Sequence, residues 1–177
     1  MDKTAIEHWS PVIGGQFWWT GLIFVLIFVP LMIFLGSKIS SKQRDMVLYG
    51  MGIYQLANKA LTQIGYIFSD NYIMASNLPL HLCGLSGILA GIVVFYRKQI
   101  LFEFLYFFGL VGFIHSVLTP EFTGGVSSWK IFDYYVGHSM LIIIPVWLMK
   151  YYDFRLRPNS WWISFLYLQL VLSLIHI

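Results

Sequence analysis

The sequence is cut into long apolar runs separated by short connections that hold most of its lysines and arginines. No other feature limits the fold as strongly. A hydrocarbon layer roughly 30 Å thick takes about 20 apolar residues to cross as a helix, and several runs reach that length. Backbone groups in hydrocarbon must all bond internally, so a spanning segment is either a helix or a strand of a closed barrel. The sequence has no ten-residue alternation of the barrel type, which leaves helices. With 58% hydrophobic and 11% charged residues in a chain of 177, the expectation is an all-α, polytopic transmembrane helical bundle of about six spans, forming one integral membrane domain over residues 1–177.

The predicted spans are Phe17–Gly36, Met46–Phe68, Pro79–Tyr96, Ile100–Thr119, Ile131–Met149 and Trp161–Ile177. The last ends with the chain and is expected to be cut short. No cleavable leader is expected, because Lys3 is the only basic residue ahead of the first run and no small-residue cleavage pattern precedes it. The connections after spans one, three and five carry Lys38, Lys42, Arg44, Arg97, Lys98, Lys150, Arg155 and Arg157, whereas the other side has Lys3 and Lys130. The positive-inside rule then predicts a multi-pass protein of the cell membrane with an extracytoplasmic N-terminus. The net charge of +3 is therefore a topology signal, and no nucleic-acid partner is expected. One cysteine closes no internal disulfide, so the redox compartment and the oligomeric state stay open.

Span two is the least apolar, with Gln55, Asn58, Lys59 and Gln63 inside it. Gln55, Lys59 and Gln63 recur every fourth residue and form one stripe. A lysine near mid-bilayer costs about 2.5–3.5 kcal/mol on insertion scales, so the stripe is predicted to face protein, water or a partner. Glu103 is a poor counter-ion for Lys59, lying roughly 16 Å from its layer at the helical rise. Asp133 is on the correct side but close to the rim, and the partner stays open. Counting about 1.5 Å per residue from the outer helix ends puts His81 and Cys83 about 3 and 6 Å deep, His115 about 6 Å and His138 about 10 Å. Gln63 and Lys59 come out at about 7 and 13 Å, so several helices supply polar groups to one outer layer.

Cys83 stands in the first turn of span three, where the helix dipole and unpaired N–H groups favour a thiolate. An imidazole can take its proton. His81 is two residues away, about 200° around a regular helix, so the base is expected from another helix: His138 or His115. Plainer readings compete. A lone cysteine fills cores as a small apolar group, membrane histidines bond between helices, Lys59 can snorkel, and Gly84, Gly87 and Gly91 can serve close helix packing alone. Zinc accepts imidazole and thiolate, but no HxxxH or CxxC pair is present, and neither metal nor cofactor is expected.

LPLHLCGLSG in span three and YYVGHSM in span five resemble the bacterial YwaF-type integral membrane proteins and their eukaryotic relatives in the transmembrane protein 164 family, over spans two to five. The resemblance implies a multi-helix membrane fold and transfer of fatty acyl chains between phospholipids through a cysteine nucleophile and a histidine. On this sequence those residues are Cys83 and His138. The preferred expectation is a membrane-embedded lipid acyltransferase or acyl hydrolase, with His81, His115, Gln63, Lys59 and Asn58 binding or orienting the phospholipid substrate and Gln63 facing the oxyanion. The alternative is a proton-coupled small-solute transporter or channel that relays protons through Lys59, Glu103 and the histidines.

Overall fold

The computed structural model describes residues 8–68, 82–123 and 126–175. Its described helices are α1 (Gln16–Lys38), α2 (Ser41–Ile67), α3 (Leu82–Tyr96), α4 (Gln99–Leu118), α5 (Ser128–Tyr151) and α6 (Ser160–Ile175). Two short strands, β1 (His8–Trp9) and β2 (Phe122–Thr123), pair antiparallel at one end and leave the class all-α. Helices α1, α4 and α5 are long and apolar enough to cross a membrane. Helix α2 is longer still at 27 residues, but it carries the polar stripe. The architecture is a helical membrane bundle.

Local signals set the helix ends. Helix α2 starts ahead of the predicted Met46 because Ser40 and Gln43 form a capping box: Gln43 N–H donates to Ser40 Oγ at 3.3 Å, and Ser40 N–H donates to Gln43 Oε1 at 2.9 Å. Helix α5 likewise begins early, at Ser128, with the Ser127 hydroxyl accepting Lys130 N–H at 3.3 Å. Helix α4 stops where Thr119 N–H bonds to His115 O at 2.9 Å and Pro120 follows. Pro79, the predicted start of span three, lies outside the described residues.

Helix α3 packs against α2, α4 and α5; α5 also lies against α1, α2 and α4, and α6 leans on α4. Their shared core includes Leu48, Val93, Phe102, Leu105, Ile143 and Trp147. Lipid cannot drive helices together by the hydrophobic effect, so close van der Waals fit has to do it. Glycines provide that fit. A methyl group at Gly36 would lie 2.6 Å from Trp147 Cη2, and one at Gly91 would collide with Leu56 Cγ.

The end of the bundle where α3 meets α4 is held by ions. Arg97 donates to Asp45 Oδ1 at 3.0 Å, Tyr152 Oη donates to the same oxygen at 2.8 Å, and the guanidinium lies 4.6 Å from the Tyr152 ring centroid. The Tyr152 hydroxyl first, and Arg97 second, hold the Asp45 carboxyl below the usual carboxylate range. Burial, followed by the bond to Asp45, pushes the Tyr152 phenol up to about 12. Nearby, the buried Glu103 accepts from Arg157 Nη2 at 2.7 Å, Nε at 3.0 Å and backbone N at 3.1 Å, and from Gln99 at 2.8 Å. Its carboxylate is thus committed to the connection after α5 and is not the counter-ion of Lys59.

The methyl test separates two glycines of equal propensity. Gly36→Ala is expected to lower stability by about 1–3 kcal/mol through overpacking against Trp147. Gly50, with nothing within 4 Å of its would-be methyl, is expected to tolerate alanine or gain about 0.5–1 kcal/mol from helix propensity. Thermal unfolding of the two variants in detergent micelles checks both.

Candidate functional site

A buried polar group in an apolar bundle needs a partner within the protein. The stripe on α2 finds its partners on α5. Gln55, 2% exposed, donates Nε2–H to Gly137 O at 2.8 Å. Tyr54 Oη donates to Asp133 Oδ1 at 2.6 Å, and Asn58 Nδ2 donates to the same oxygen. Thr62 Oγ1 donates to Asn58 Oδ1 at 3.4 Å, which fixes the amide with its nitrogen toward Asp133. Asp133 therefore closes α2 on α5.

Lys59 crosses instead to α3. The end of its side chain lies in the notch left by Gly87, where a methyl group would sit 2.5 Å from Lys59 Cε and 3.5 Å from Nζ. Its ammonium is within electrostatic reach of Cys83 and Asp133. One turn further along the stripe, Gln63 Nε2 is buried and has no hydrogen-bond partner among the described residues.

Cys83 is the second residue of the described α3 and is partly buried. Its Sγ lies 3.9 Å from Gly112 O of α4. The missing side chain at Gly112 makes the room: a methyl there would come within 3.5 Å of the sulfur.

His138 places Nδ1 2.7 Å from Tyr134 O. A carbonyl only accepts, so Nδ1 carries the proton and donates it, and Nε2 of the neutral ring keeps its lone pair. The imidazole also packs at a tilt of 41° against the Tyr134 ring, centroids 4.2 Å apart. Tyr134 Oη in turn donates to Ser116 O at 3.1 Å and accepts Glu121 N–H at 3.4 Å, fixing α5 to the end of α4. Tyr134 is also within electrostatic reach of Cys83. It is thus a common neighbour of the cysteine and the histidine.

Gln55 and Asn58 thus bond to α5, whereas Lys59 lies against α3 within electrostatic reach of Cys83. His115 does not join them: it is exposed in the last turn of α4, where the neighbouring Ser116 points inward. His81 lies outside the described residues. Among the described residues no group of three or more His, Cys, Asp or Glu side chains gathers as a metal site would require. Sequence reasoning missed Tyr54 and Tyr134. Each stands four residues before a residue it singled out, Asn58 and His138, and that spacing was the available signal.

On another face of α5, an apolar cleft of about 210 Å³ opens against α1, lined by Phe17, Gly21, Phe24, Ile131, Phe132 and Tyr135 among others.

The Nδ1 bond has a direct readout. In ¹⁵N-histidine spectra of the purified protein, neutral His138 is expected as the Nδ1–H tautomer. Tyr134→Phe, which removes the bond to Ser116 O, is expected to cost about 1 kcal/mol in thermal unfolding.

A family model described as the TMEM164 family matches residues 7–177. No curated protein and no solved structure gives a match.

Proposed function

Taking as premise that the chain belongs to the TMEM164 family of membrane proteins, we propose that it transfers fatty acyl groups between lipids through a thioester on Cys83, with His138 as base. The observation that carries this reading is the tautomer of His138: with Nδ1–H donated to Tyr134 O, the neutral ring carries its lone pair on Nε2, the form that a base for a thiol requires.

In the first step His138 Nε2 takes the Cys83 proton, and the thiolate attacks the ester carbonyl carbon of a phospholipid. The carbonyl π pair moves onto oxygen, where Gln63 Nε2–H is a donor without a competing partner. Collapse restores the carbonyl and breaks the ester C–O bond. The leaving alkoxide takes the proton from the imidazolium, and the acyl group remains on sulfur. A lipid hydroxyl then gives its proton to His138 and attacks the thioester, which returns the thiol; water in that place makes the reaction a hydrolysis.

Asn58 and Lys59 orient the substrate in this reading. His81 and His115 contact the headgroup, as the exposed side chain of His115 would allow. The protein acts as one unit in the cell membrane with its N-terminus extracytoplasmic, in line with the basic residues that follow Tyr96 and Met149. A proton relay through Glu103 is disfavoured, because three bonds from Arg157 and one from Gln99 occupy that carboxylate.

The purified protein incubated with an alkyne-tagged phospholipid is expected to acquire a hydroxylamine-labile adduct that disappears in Cys83→Ala. His138→Ala is expected to slow adduct formation about 100-fold or more. A wild-type protein that gains no adduct, or an equal adduct on Cys83→Ala, overturns the reading.

A further inference from the structure

We infer that Lys59 is the charge partner of Cys83: a positioning residue whose ammonium, seated through the notch at Gly87, stabilises the thiolate from the neighbouring helix. The inference rests on the reading of Cys83 as a nucleophile and deepens it by naming the cation.

Three observations meet here. Gly87 follows Cys83 by four residues, so both face the same side of α3. Lys59 Nζ lies over Gly87, 3.5 Å from where a methyl group would stand, one turn of α3 along from Cys83 and within electrostatic reach of it. Lys59 also has no direct ion pair or hydrogen bond to a described residue. The carboxylate best placed to neutralise it, Asp133, is engaged by Tyr54 and Asn58 on its Oδ1. The Lys59 charge thus acts on both the thiol and Asp133 without a direct bond to either.

The charged and titratable groups around the pair are few. From α2 comes Lys59 itself; from α5 come Asp133, which acts on Lys59, Tyr134, which is within electrostatic reach of Cys83, and His138 beside Tyr134, the base of the proposed transfer. The described face of α4 offers the sulfur the carbonyl of Gly112. The carbonyl oxygen opposes negative charge on sulfur and the neutral phenol of Tyr134 brings no positive charge, so Lys59 is the cation that favours the thiolate before a proton reaches His138. Gly87 thereby gains a specific function. Its hydrogen side chain is the seat of the lysine, beyond the general use of glycine in helix packing.

The chain has one cysteine, so alkylation by iodoacetamide reports Cys83 alone, without any substrate. The pH dependence of the alkylation rate is measured on wild type, Lys59→Met, Lys59→Arg and Gly87→Ala in detergent micelles, with circular dichroism to confirm the fold. The midpoint is expected about one unit or more higher in Lys59→Met and near wild type in Lys59→Arg. In Gly87→Ala, which keeps the lysine but fills its seat, it is expected to shift in the same direction as in Lys59→Met. Superimposable profiles of wild type and Lys59→Met overturn the inference. If Lys59→Met does not fold, an unshifted Gly87→Ala profile overturns it instead. The readout is separate from the acyl-transfer test: a Lys59-dependent profile in a protein that forms no lipid adduct would remove the acyltransferase reading and leave the pairing in place.

Discussion

The organisation of this bundle depends on one constraint: polar side chains placed in apolar surroundings have to be satisfied by other parts of the same chain. The carboxylate of Asp133 and the carbonyl of Gly137 meet that demand for Tyr54, Gln55 and Asn58. These bonds fix which face of α2 turns toward α5. Once that face is set, Lys59 can only point at α3, and the glycine at position 87 lets it in. The remaining core is apolar and tolerant in kind, whereas this set of polar contacts defines the register between three helices.

The two ends of the molecule are built from different chemistry. At the end where α3 meets α4, acidic groups are fully matched: Asp45 with Arg97 and Tyr152, Glu103 with Arg157 and Gln99. Such pairs rigidify, and the Glu103 carboxylate is taken up by four hydrogen bonds. Toward the other end the balance differs. Among the described residues the nitrogen of Gln63 is buried without an acceptor and Lys59 has no direct hydrogen bond or ion pair, and Trp9, Phe17, Phe122 and Tyr134 form an aromatic cluster. Buried donors left without acceptors cost stability, so a protein that keeps them is expected to use them.

Much of this was legible in the order of residues. Apolar run lengths marked the helices, and the four-residue spacing of Gln55, Lys59 and Gln63 put them on one inward face. The depth count correctly separated Lys59 from Glu103. What it could not supply was rotation about the helix axis in α4: His115 and Ser116 differ by one position and about 100°, and only packing against α5 decides which one turns inward. The partner of Glu103 was hidden for another reason. Arg157 is 54 positions away in a connection with no periodic signal, so nothing local announces the pair. Tyr134 escaped notice because an aromatic residue near a helix start reads as an interfacial anchor, and its ring contact with His138 arises only once the helix has formed.

Helix α6 leans chiefly on α4, through contacts such as that between Phe104 and Tyr167, and its Trp161, Phe165 and Leu166 stay exposed. A segment supported mainly on one flank contributes little to the cooperative unit formed by α2, α3, α4 and α5. During biogenesis it would be the natural latecomer, settling onto an already consolidated scaffold. The polar assembly around Asp133 would then owe its order to the earlier helices, and would survive excursions of α6 away from the body of the protein.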